Sequence, residues 1–95
     1  MLQFDSESIQ ELELLMRENA TLVSTEIIKN ICDALENDAN VVDIGVLNKL
    51  NLNIQLKRDN YLEALKVNFV RIEKAELYEL CARANKWIKV LESEQ

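Results

Sequence analysis

Apolar side chains recur along the first third of the chain at Ile9, Leu12, Met16, Ala20, Val23, Ile27, Ile31 and Ala34, always three or four residues apart. At about 100° per residue this spacing keeps them on one helical face. Glu7, Glu11, Glu18, Asp33 and Glu36 fall opposite. Asp5, Ser6 and Ser8 precede the stripe with side-chain oxygens suited to free backbone N–H groups, so a helix is predicted over about residues 6–36. Asn19-Ala20-Thr21 is poor in helix propensity, yet the stripe crosses it in phase, which favours one helix and makes this the place where a break would fall.

Residues 37–43, Asn-Asp-Ala-Asn-Val-Val-Asp, gather weak helix formers and end in Asp43, a candidate N-cap ahead of Ile44 and Gly45. They are read as a turn. Beyond it Leu47, Leu50, Ile54, Tyr61, Leu65, Phe69 and Ile72 again share one face, broken only by Arg58, and predict a second helix over about 44–72. Leu50, Leu52, Ile54 and Leu56 also alternate with Asn51, Asn53 and Gln55 in the manner of a half-buried strand. With no second alternating run recognised to complete a ladder, a lone strand would leave backbone groups unpaired, and the helical reading is preferred.

Laid antiparallel about the turn, the stripes meet as Ala34 with Leu47, Ile31 with Leu50, Ile27 with Ile54, Ala20 with Tyr61, Met16 with Leu65, Leu12 with Phe69 and Ile9 with Ile72. The expected class is all-α, a single helical domain built on an antiparallel hairpin. A further stripe, Leu77, Leu80, Cys81, Ala84, Trp87, Ile88 and Leu91, is rotated from the preceding one and covers about residues 75–92. The shift lies across Glu73 to Glu76 and fits either a phase change in one long helix or a kink that folds back a third helix.

A weaker line through Leu14, Ile28, Cys32 and Leu35 marks a second apolar face on the first helix. A two-helix hairpin cannot bury both extra faces, so the third helix or another subunit must. The expectation is an oligomeric bundle, with the Leu77 to Leu91 stripe as its interface.

Composition narrows the choice of function. Among 95 residues there are one glycine, no proline and no histidine. Phosphate-cradling loops lack their glycines, and the commonest general base and metal ligand are missing together. Cys32 and Cys81 alone cannot complete a tetrahedral zinc site, and buried free thiols are the simpler reading. The carboxylates lie mostly opposite the apolar stripes or in helix-supporting pairs such as Glu79 with Arg83 and Glu63 with Lys66. No catalytic, cofactor-binding or metal-binding residue is therefore assigned, and no enzyme activity is expected. A small helical enzyme of the chorismate mutase kind uses several Arg and Lys from facing helices, where this first helix holds only Arg17 and Lys29.

The net charge of -6 is unevenly placed. Residues 1–48 carry ten acids against two bases, whereas residues 49–95 carry seven acids against nine bases. The polarity suggests halves that face each other, and the acidic total argues against a dedicated nucleic-acid binder. Arg83, Lys86 and Lys89 form the only loose basic patch, at a helix end where lysines are expected anyway.

No signal-peptide pattern and no long apolar run is found, which with the cysteine usage gives the expectation of a cytoplasmic protein with no membrane partner. The turn holds neither the Trp-x-Gly of small secreted hairpins of the WXG type nor the proline usual in needle subunits of bacterial injection machines, and no family resemblance is carried by the residues. The functional expectation is a small structural or protein–protein interaction protein that binds itself and another protein through helix faces. The alternatives are a helical chaperone or adaptor of a secretion system, phage or mobile element, and a small helical nucleic-acid binder.

Overall fold

A computed structural model describes residues 2–4, 9–47 and 52–94. The elements run β1 (Leu2–Phe4), α1 (Ile9–Glu18), α2 (Ala20–Glu36), β2 (Val41–Leu47), β3 (Leu52–Lys57), a 3-10 turn (Arg58–Asn60), α3 (Tyr61–Lys74) and α4 (Tyr78–Ser93). The fold is mostly helical, as the periodicity implied, but it carries a small sheet that corrects the all-α expectation. In that sheet β2 lies between β1, which runs parallel to it, and β3, which runs antiparallel.

The predicted second helix over 44–72 is in its first part a β-hairpin. Val41, Val42, Ile44 and Val46 are β-branched and suit a pleated, half-covered surface. They supply the partner run that the Leu52-Ile54-Leu56 alternation needed, pairing Val41 with Lys57, Val42 with Leu56 and Asp43 with Gln55. Asp43, read as a helix cap, therefore sits inside β2, and the turn contracts to residues 37–40. Ile44 is an extra residue, because the register passes from Asp43–Gln55 to Gly45–Ile54. Val42 and Ile44 on β2 and Ile54 and Leu56 on β3 are half-buried and pack on the helical core, while Asp43 and Gln55 face outward.

The first helix is also corrected, since it divides at Asn19. There the backbone N–H and the side-chain Nδ2 both donate to the carbonyl of Leu15, at 3.1 and 2.9 Å. With φ -112° and ψ 36°, Asn19 leaves the helical path, and α2 starts afresh at Ala20. Capping by Asp5, Ser6 and Ser8 falls outside the described residues.

The C-terminal ends of α2 and α3 use the same device. Asp38 takes φ 54° and Glu76 φ 61°. After α2, Ala39 N–H donates to Ala34 O and Asp38 N–H to Leu35 O; after α3, Leu77 N–H donates to Ile72 O and Glu76 N–H to Glu73 O. These are the paired 6→1 and 5→2 bonds of Schellman caps, built here without glycine.

The helices α2, α3 and α4 pack around one core. Tyr61, at the start of α3, reaches Ala39 just past the end of α2, whereas Asn68 and Arg71 reach Ser24 near the start of α2, so α3 runs antiparallel to α2. Lys66 with Glu92 and Arg58 with Glu94 set α4 antiparallel to α3 in turn. The predicted register is thereby displaced: Tyr61 meets Ala39 and not Ala20, because the hairpin takes up the chain that a direct helical turn would have used. Pairings expected of Ile9, Leu12, Leu47 and Leu50 fall outside the described side chains. Val23, Ile27, Ile28, Ile31, Cys32, Leu35, Tyr61, Leu65, Ile72, Ala84, Ile88 and Leu91 form most of the buried core.

Candidate functional site

The Schellman cap at Glu76 decides where the C-terminal stripe begins. By turning the chain through a left-handed residue it folds α4 back on α2 and α3, which makes the stripe a third helix. Ala84, Ile88 and Leu91 are buried by this arrangement, and Leu80, Cys81 and Trp87 are half-buried against the core. Of the seven residues predicted as an interface, Leu77 is the one that stays largely outside, at 37% exposure. The second predicted face is likewise consumed within the chain at Ile28, Cys32 and Leu35, while Leu14 stands apart on α1 at 50% exposure.

A groove of about 500 Å³ opens between α2 and the α3–α4 corner. Thr25 and Lys29, one turn apart on α2, form one wall; Leu77, Tyr78 and Leu80 form the other, with Glu76, Glu79 and Arg83 along the rim. Tyr78 is 68% exposed, and Leu22, three residues before Thr25 on the same side of α2, is 56% exposed. An apolar floor with charges of both signs at its edge is thus presented by backbone fixed at a helix cap and a helix start. Tyr78 and Leu22 carried no stripe signal, because each belongs to a face that a periodicity search assigns to solvent.

Arg83 holds one end of the groove. Its Nε donates to Glu36 Oε1 at 3.2 Å, and its Nη2 bonds both Glu36 Oε2 and Asp33 Oδ1. Hydrogen bonds to Glu36 and then Asp33 hold the guanidinium even further above its usual pKa, so it is a permanent cation clasped by two carboxylates. The helix-supporting partners expected from spacing are replaced: Arg83 takes Asp33 and Glu36 in place of Glu79, and Lys66 takes Glu92 in place of Glu63. The acidic first half and the more basic second half meet where Arg83 binds Asp33 and Glu36 and where Arg58 lies 3.2 Å from Asp38.

The chemistry of the remaining groups is quiet. Cys32 and Cys81 are free thiols. Burial pushes the Cys32 thiol up to about 11, with Arg83 opposing, and raises Cys81 as well. Lys86 Nζ lies 5.5 Å from the centre of the Trp87 ring, a cation–π distance. Among the described residues there is no cluster of three or more acids or cysteines able to hold a metal ion, and no helix long and apolar enough to cross a membrane. Comparison of the chain with protein-family models, curated proteins and solved structures gives no match.

Proposed function

We propose that the chain is a small non-enzymatic protein-interaction module whose groove between α2 and the α3–α4 corner takes apolar side chains of another protein. The observation that carries this is the position of Leu77 and Tyr78. Most of the α4 stripe is spent on the core, yet these two neighbours are exposed at the α3–α4 corner across from Thr25. A groove of about 500 Å³ is within the range that takes a few side chains. Large aromatics at such places are frequent anchors of binding energy.

Burial of Ala84, Ile88 and Leu91 inside the chain favours an adaptor or chaperone over self-assembly through that stripe, since little of it is left for a second copy. The natural ligand on this reading is an amphipathic segment that lays an apolar edge between Leu77 and Thr25. The nucleic-acid alternative gains less support. Arg83, one of its three cations, is already bound to Glu36 and Asp33, and Lys86 lies against Trp87.

A fluorescent hydrophobic dye and a photo-cross-linker test the reading together. Wild-type protein is expected to bind the dye, and Leu77→Asp with Tyr78→Asp to weaken that binding several-fold without changing the far-ultraviolet circular dichroism. A cross-linker at position 78 is expected to capture a defined partner that one at Val67, exposed on the outer face of α3, does not. Equal capture at both positions, or dye binding untouched by the double substitution, would overturn the assignment.

A further inference from the structure

The sheet has an open side. Among the described residues β3 pairs only with β2, so its other edge presents backbone groups that no strand receives. Edge strands in monomeric proteins are commonly blunted by charge, proline or a bulge. Here the chain contains no proline, residues 52–56 read Leu-Asn-Ile-Gln-Leu without a charge, and the bulge lies in β2. Lys57 at the end of the strand is its only charged side chain.

Which groups face outward follows from the ladder. Arg58 N–H donates to Asn40 O at 2.8 Å, one step beyond the Val41–Lys57 pair. Hydrogen-bonded and non-bonded pairs alternate in antiparallel strands. Leu56 opposite Val42 is therefore a bonded pair, and Lys57 and Gln55 direct their N–H and C=O away from β2. Asn53 follows the same parity, because the extra residue belongs to β2.

Water satisfies such groups one at a time, whereas another extended backbone satisfies the whole row together, and the strand is self-complementary. If two copies meet antiparallel with Gln55 opposite Gln55, the outward groups of Gln55 exchange two hydrogen bonds, and Lys57 meets Asn53 in the next bonded pair. Side chains directly opposite share a face. Ile54 of one copy then lies against Leu56 of the other on the covered side, where both are only half-buried in the single chain. No like charges are placed opposite each other. Residue parity, facing and charge all agree in this register.

We propose that β3 pairs with β3 of a second copy about a two-fold axis at Gln55, joining the two sheets into one. The occupant is a second copy of this chain because the same edge supplies both halves of the match. The surface is separate from the groove, so the pairing stands whether or not the groove binds a partner. A six-residue strand buries little area beside the roughly 1,200–2,000 Å² of a standard stable interface, so the dimer is expected to be concentration-dependent.

Sedimentation equilibrium of the full chain over a concentration series reads the outcome. The expected result is a mass rising from 11.0 kDa towards twice that value. Gln55→Pro removes an outward N–H without taking a bond from the β2 ladder and should hold the chain at the monomer mass, while Gln55→Ala should still dimerise. A wild-type chain that stays monomeric throughout, leaving the edge to another protein's strand, overturns the proposal, as does a dimer that survives Gln55→Pro. Should Gln55→Pro lose its helical signal, amide exchange in the wild type decides. Gln55 and Lys57 amides slowed at high concentration and fast at low concentration support the pairing; amides fast at both overturn it.

Discussion

The hydroxyl of Ser24 donates to the side-chain carbonyl of Asn68 at 2.8 Å, pinning the start of α2 to the second half of α3. Ser24 is fully buried among apolar neighbours. Asn68 returns its amide to Ala64 O at 2.7 Å, and Arg71 donates to the Ser24 hydroxyl at 3.2 Å, so each polar group of this small network has a partner. A buried network of this kind fixes helix register because sliding by one residue would leave its members unpaired.

Ser24→Ala is therefore expected to lower stability by about 1–3 kcal/mol, the range for leaving a buried partner unsatisfied. Asn68→Ala should cost less when made on top of Ser24→Ala than alone, since the two act as one unit. Urea denaturation of the two single variants and the double variant measures this. Additive losses would mean that the two side chains do not support each other.

Arg83 shows the opposite regime. It is nearly one-third exposed and its carboxylate partners are more so, so solvent screens most of the attraction and the net contribution is small despite the two-pronged geometry. Arg83→Met should lower stability by roughly 1 kcal/mol or less. The deficit relative to wild type should shrink in 1 M salt, which thermal melts at two ionic strengths would show. A loss of several kcal/mol that salt does not change would mean that the guanidinium stem, and not its charge, is the important contact.

Much of the helical core was legible from spacing, because Val23, Ile27, Ile31 and Ala34 on α2 and Tyr61, Leu65 and Ile72 on α3 bury the faces their periods imply. The hairpin was not, for a specific reason. Ile54 and Tyr61 sit at helical spacing by coincidence of a strand that runs directly into a helix, and the partner strand 41–47 hides its alternation behind the extra residue Ile44. The helix stops were hidden too. A reader looks for glycine at a left-handed cap, and this chain uses Asp38 and Glu76. The groove escaped because Tyr78, an exposed member of its lining, stands outside every stripe, and only the fold-back at Glu76 brings it to the wall opposite Thr25.

That last residue makes a direct test of the cap. At φ 61°, Glu76 bears the steric cost of a Cβ in the left-handed region, which glycine does not. The side chain is exposed, so little packing is lost on removing it. Glu76→Gly is expected to stabilise the fold by about 0.5–1 kcal/mol, whereas a glycine in the interior of α3, such as Lys66→Gly, should cost about 1 kcal/mol. Thermal melts of the two variants should move in opposite directions. If Glu76→Gly also melts lower, the turn does not hold the left-handed geometry in solution.

Cys32 gives the chain an alkaline limit. Its fully buried thiol is held up to about 11, against 9.0 for an open thiol, chiefly by burial. The unfolded chain therefore releases this proton first as pH rises. Between about 9 and 11 the folded state holds more protons than the unfolded one, so stability falls with rising pH in that window and is unaffected by this group below it. Burial raises Tyr61 as well, which acts in the same direction at higher pH. Urea midpoints measured from pH 7 to 10.5 should stay level to about pH 9 as far as Cys32 is concerned and then decline. Cys32→Ala should start from a lower midpoint, having lost a buried sulfur, but decline less steeply, because the titrating group is gone. An identical slope in the two proteins would place the alkaline sensitivity elsewhere and would mean that the Cys32 thiol reaches water more readily than its packing implies.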